Sequence, residues 1–184
     1  QDAKSYSPYD MVYSEIYGMN QVSVQDVLHI LEKNSVTVEQ VIQLPYIRDD
    51  VFNYLPVTEI NRDFGCDYQI QEGEFLNLFQ YNLEDGYEHN IQPVSTVTIS
   101  GDRKLQSVGT DVKILFNQNP TFADKTLIIN DSDFEKLSAD ITGSAGIANL
   151  FQFQNWEDSY AGVCEVKEYL QESNQLNEDE QTYY

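Results

Sequence analysis

His29 and His89 are the only two histidines in the sequence, and histidine is the commonest general base and metal ligand near neutral pH. Neither sits in a nucleophile or metal motif. His29 falls inside a helical pattern and reads as a surface or half-buried helix residue rather than a catalyst. The two cysteines, Cys66 and Cys164, have neither CxxC spacing nor neighbouring histidines, so no zinc site is expected. They read either as a disulfide or as two separate buried thiols. GxSxG, GxxxxGK, HExxH and GxGxxG are all absent. Paired carboxylates could serve glycoside hydrolysis, but with 31 Asp and Glu in the chain almost any fold brings some pairs together. Asn130-Asp131-Ser132-Asp133 and Asp49-Asp50 resemble calcium ligands without the DxDxDG spacing and distal Glu of a calcium loop. Helix capping is the stronger reading at Asp131 and Asp133. Neither a catalytic residue, a metal nor a cofactor is therefore expected, and the chain does not read as an enzyme.

Charge and aromatic content point instead to binding. Ten Lys and Arg stand against 31 Asp and Glu, a formal net charge of -21. A surface this negative repels phosphate backbones, which excludes nucleic acid as a general partner, while cationic peptides and basic protein faces are attracted. The charge also suits simple solubility. Between Asp63 and Asp102 there is no Lys or Arg but eight acids. Within it Tyr68, Glu72, Glu74, Phe75, Phe79, Tyr81, Glu84, Asp85, Tyr87 and Glu88 offer carboxylates for basic groups and rings for apolar or cationic ones. These are the candidate ligand-binding residues, set against the plainer reading of a core segment with solvated charges.

The elements that would position them follow from periodicity. Tyr9 to Tyr17 is dense in β-formers and reads as a first strand. Ser23 with Asp26 resembles a capping box, and Val24, Val27, Leu28 and Leu31 then recur at helical spacing. Val36 to Tyr46 reads as a strand that slips register near Gln40, with Pro45 hinting at an edge or strand end. A further strand is expected through Val51 to Ile60, interrupted at Pro56. Val94 to Ile99 and Lys104 to Val108 form a hairpin around Gly101-Asp102. Val112 to Phe116 and Thr126 to Ile129 read as buried strands. Ser132 and Glu135 form a second capping box, with Phe134 and Leu137 inward. Ile147 to Phe153 is a strand, and Asn155 with Asp158 caps a last helix whose inner face carries Trp156, Tyr160, Val163, Cys164 and Leu170.

The fold class expected is α+β, a single domain with a mixed or mainly antiparallel sheet and about three short helices, spanning residues 1–170. The 184-residue length and 41% hydrophobic content suffice for one core. Residues 171–184 read as an acidic, polar, frayed tail. No apolar run reaches the roughly 18 residues of a membrane span. The chain opens at Gln1 without a Met and stops at Tyr184 after polar residues, so both ends read as internal to a longer chain.

Three ordered motifs carry a family resemblance. They are Pro8-Tyr9-Asp10-Met11-Val12-Tyr13, the strand and acidic helix from Leu127 to Leu137, and Phe151 to Tyr160. Together they resemble the large extracellular domain of FtsX-like ABC transporter permeases, especially the BceB type of Gram-positive bacteria, over residues 8 to 171. The resemblance implies a location on the extracellular face of the bacterial cell membrane and a membrane-embedded remainder on both sides. It also implies a separate ATPase subunit that carries the ATP site, and a role in sensing or gripping cell-wall-directed peptide antibiotics. The implied ligand is a cationic or amphipathic peptide. Residues 63 to 102 depart from the family pattern. The alternative is a structural or adhesive bacterial surface module.

Overall fold

The computed structural model describes residues 9–17, 22–79, 93–113, 115, 125–139, 144–173 and 182–183. In chain order the elements are β1 (Met11–Ile16), α1 (Val24–Lys33), β2 (Val38–Arg48), β3 (Asn53–Pro56), α2 (Val57–Phe64), β4 (Glu74–Phe79) and β5 (Thr96–Ile99). β6 (Arg103–Val112), β7 (Thr126–Ile129), α3 (Asp131–Ala139), β8 (Ser144–Phe153), α4 (Tyr160–Glu172) and β9 (Thr182–Tyr183) follow. The strands form one nine-stranded sheet in the order β5-β6-β4-β7-β3-β2-β8-β1-β9. Only β3 with β7 and β4 with β6 run parallel. The fold is therefore α+β with a mixed, mainly antiparallel sheet, as expected, but with four α-helices among the described residues rather than about three.

Side-chain alternation along each strand divides the core between the two sheet faces. Val12, Leu44, Leu55, Leu76, Ile128 and Leu150 meet Val57 and Ile60 of α2 on one face. The other face is covered in two places. Met11, Tyr13, Phe151 and Phe153 lie under Val27 and Leu31 of α1 and Val163, Val166 and Leu170 of α4. Ile47, Tyr54, Phe75, Leu127 and Ile129 lie under Leu137 of α3.

Several local signals act as read from the sequence. Ser23 Oγ accepts the Asp26 N–H at 3.4 Å and Asp26 Oδ2 accepts the Ser23 N–H at 3.2 Å, so the capping box starts α1. The slip in β2 falls between Val38 and Gln40. Pro45 lies inside β2, where it pairs with Ile147 of β8 while β3 joins only at Ile47 and Arg48. Its missing N–H therefore breaks no ladder.

Other expectations are corrected. The strand anticipated from Val51 to Ile60 stops at Pro56, and α2 begins at Val57. Asp131 Oδ1 accepts the Thr58 N–H at 3.1 Å, satisfying a free donor in the first turn of α2 from across the fold. α3 starts at Asp131, ahead of the box anticipated at Ser132, with Asn130 Oδ1 accepting the Ser132 N–H. Asn155 caps a short 3₁₀ turn, Trp156–Asp158, before α4 begins. Tyr160 is 70% exposed rather than inward, and Cys164 is only half-buried. Gly162 and Val166 complete the inner stripe instead. Cys66 and Cys164 are free thiols. β6 ends at Val112, Leu115 is buried, and residues 114 and 116 lie outside the described residues. Thr182 and Tyr183, expected in a frayed tail, pair with Tyr13 and Val12 of β1.

Buried phenols give the fold a pH limit. Burial pushes the Tyr46 hydroxyl up to about 12, with Arg48 and a hydrogen bond from Ser14 opposing. In the unfolded chain a tyrosine ionises near pH 10. Below that pH the phenol is neutral in both states and its contribution to stability is fully present. As pH rises from about 10 to about 12 the unfolded chain ionises first, so stability is lost. Tyr46→Phe is expected to flatten this loss in urea unfolding followed across that window. An unchanged pH profile would show that the Tyr46 hydroxyl is not the group responsible.

Candidate functional site

The described residues of the segment from Asp63 to Asp102 do not form one exposed surface. Phe75 is fully buried and Phe79 is 7% exposed. β4 lies inside the sheet between β6 and β7, so these rings are closed off and the expectation of accessible rings there is not met. Tyr68 is partly buried against the α2 side of the core and donates its O–H to Asp111 Oδ2 at 2.5 Å. Burial, then the Asp111 bond, raises its phenol well above the usual range. Glu74 Oε1 accepts the Gln71 N–H at 2.8 Å and closes the turn before β4. Glu72 is exposed. Tyr81, Glu84, Asp85, Tyr87 and Glu88 lie outside the described residues.

A different constellation forms where α1 and α4 pack side by side. Gly162 lets the helices approach, since a Cβ there would sit 2.8 Å from Val36 Cγ2 and 3.4 Å from Leu31 Cδ2. Outside that contact lies a groove of about 330 Å³. Asp26, His29 and Lys33 face it from α1, at helical spacing i, i+3 and i+7. Glu165, Glu168, Tyr169 and Glu172 face it from α4 in the same repeat, with Ile30 as an apolar patch between the helices.

These carboxylates are not equivalent. Asp26 serves the α1 capping box. Glu165 Oε1 meets Lys33 Nζ at 2.9 Å, and its other oxygen accepts a short hydrogen bond from Asn34 Nδ2. The Lys33 bond, then the Asn34 bond, holds the Glu165 carboxyl below the usual carboxylate range. Glu168 and Glu172, one turn apart, have no hydrogen-bond or ion-pair partner among the described residues. Tyr169 stands beside them, 38% exposed. Two unpaired carboxylates with a ring can hold an ammonium or guanidinium group by charge and cation–π contact.

Among the described residues, no three His, Cys, Asp or Glu side chains are grouped so as to hold a metal ion. The sequence reading missed the groove because its walls meet only in the fold, with Asn34 and Glu165 separated by 131 residues. The available signal was Glu165, Glu168 and Glu172 at helical spacing opposite an apolar stripe.

Fold and groove together define an acidic α+β domain with a largely carboxylate-lined cleft between two helices on one sheet face. No protein-family model matches the chain, and no curated protein matches it. No helix among the described residues is long and apolar enough to cross a membrane.

Proposed function

We propose that this chain is a ligand-binding domain that takes cationic groups of a peptide into the α1–α4 groove, without bond chemistry. The observation that carries the reading is the pair Glu168 and Glu172 beside Tyr169, without partners among the described residues, in a groove of about 330 Å³. A formal net charge of -21 favours the approach of such a ligand from a distance.

The wider setting proposed is the extracellular domain of an FtsX-like permease, with a membrane-embedded remainder and a separate ATPase subunit as partners. The motif resemblance motivates it, and one feature of the sheet supports it. Val12 pairs with Tyr183 and Tyr13 with Thr182 in an antiparallel ladder, so the start of β1 and the end of β9 lie side by side. Chain ends close together at the surface are common in domains. The ladder goes further by holding the two ends in register, which suits a domain carried between two flanking segments.

The test uses a blocked tetra-arginine peptide and isothermal titration at low salt. Glu168→Gln with Glu172→Gln should weaken binding at least about fivefold, the worth of roughly 1 kcal/mol. Glu135→Gln with Glu157→Gln, exposed sites elsewhere, makes the same change in net charge and should have a much smaller effect. Raising salt should weaken binding, because exposed pairs are screened over about 8 Å at physiological ionic strength. Equal affinities for the two double variants would overturn the groove as the site. Loss of binding only when Glu72, Glu74, Glu84, Asp85 and Glu88 are neutralised would move the site to residues 63–102.

A further inference from the structure

We infer that Lys33 is an internal competitor in the α1–α4 groove: its ammonium occupies the Glu165 carboxylate, and a cationic ligand displaces it. The inference rests on the reading of the groove as a cation site and concerns the regulation of that site. Glu165, Glu168 and Glu172 form one row along α4, and all three face the groove. Two of them have no partner among the described residues, while the chain's own cation sits 2.9 Å from the first. That contact shows that Glu165, the first of the row, accepts a primary ammonium at ion-pair distance.

The pair is also placed to open. Lys33 is the last residue of α1, and its side chain is 60% exposed against 36% for Glu165. Exposed pairs of this kind are weak and exchange with solvent ions readily. Asn34 stays on the other oxygen of Glu165 and also donates to the Ile30 carbonyl at 2.8 Å. When the ammonium swings out, Asn34 therefore keeps the carboxylate aimed at the groove. A peptide with two or more basic groups then gains Glu165 in addition to Glu168 and Glu172, at the cost of one exposed ion pair.

The experiment compares Lys33→Met with Lys136→Met, an exposed lysine on α3 away from the groove, so that both variants change net charge equally. Blocked tetra-arginine is titrated into each and into the unaltered protein, with thermal melts confirming that all are folded. Lys33→Met should bind about threefold to fivefold tighter, the upper part of what an exposed ion pair is worth, and Lys136→Met should match the unaltered protein. Lys33→Gln should repeat the gain, separating loss of the ammonium from the apolar character of Met. Equal gains in Lys33→Met and Lys136→Met would mean that bulk charge alone acts, and would overturn the inference. So would unchanged or weaker binding in Lys33→Met. A peptide that binds none of the proteins would instead remove the underlying groove reading, an outcome distinct from the other two.

Discussion

Gly146→Ala is expected to cost about 3 kcal/mol or more, at or beyond the upper end of ordinary overpacking. β8 runs between β1 and β2, and Gly146 is paired on both sides, with Ile16 and with Tyr46. A Cβ at this position would lie 2.1 Å from the Glu15 carbonyl oxygen and 3.0 Å from the Tyr46 hydroxyl. The nearer atom is backbone inside a ladder, so it cannot rotate away; β1 and β8 would have to separate. In a chain of this length each kcal/mol corresponds to roughly 2–4 °C, so the melting temperature should fall by about 6–12 °C. Gly162→Ala is the control. Its Cβ would meet Val36 Cγ2 at 2.8 Å, the end of a side chain that can shift. Alanine also gains about 1 kcal/mol of helix propensity over glycine, which offsets part of the crowding. Urea unfolding should therefore rank Gly146→Ala far below Gly162→Ala. Similar midpoints for the two would show that β1 and β8 are not packed this closely.

The elements legible in the sequence are those fixed by neighbours in the chain. Ser23 and Asp26 bond to each other's backbone, so their spacing alone marks the start of α1. The slip between Val38 and Gln40 shows as a break in alternation, and the turn at Gly101 and Asp102 has positive φ at both residues. What escaped reading depends on distant partners. Val57, Ile60 and Phe64 have helical spacing, but Val and Ile are also strand formers, and the preceding strand obscures where the pattern changes. The start of α2 is completed by Asp131, 73 residues away. Tyr160 fits an apolar stripe by residue type, yet it is the first residue of α4 and stands exposed.

The candidate site was less legible than the fold for the same reason. Acidity and aromatic content identify a tendency to bind cations but not a place. In residues 63–102 composition suggested a surface, whereas β4 carries Phe75 into the core and Tyr68 is held by Asp111. Glu168 and Glu172 look like an ordinary solvated helix face until α1 is set beside them. Only then does their lack of a partner among the described residues distinguish them from Glu165, which Lys33 neutralises.

Asp133→Ala should be about as damaging as Gly146→Ala, for an electrostatic reason. Asp133 is fully buried on α3, with Oδ1 2.6 Å from Arg103 Nη2 and Oδ2 accepting the Gly73 N–H at 2.8 Å. The Arg103 contact is a close ion pair rather than a straight hydrogen bond, and Arg103 Nε is buried without a hydrogen-bond partner among the described residues. One carboxylate thus ties three separate places: α3, the start of β6 and the turn before β4. Removing it leaves the Gly73 N–H unsatisfied and takes the anion from Arg103, whose side chain is 34% exposed, at a cost of about 3 kcal/mol, the low end for breaking a buried pair. Asp133→Asn should cost less than Asp133→Ala, since an amide oxygen can still accept from Gly73. Arg103→Met should be costly alone, because it leaves the carboxylate buried without its cation. Combined with Asp133→Asn, however, it removes both charges together. The double variant should therefore be distinctly more stable than the sum of the two single losses predicts, a coupling of roughly 0.5–3 kcal/mol in a double-mutant cycle. Strict additivity across that cycle would mean that the two charges do not depend on each other, and that the burial of Asp133 is stabilised by the Gly73 contact alone.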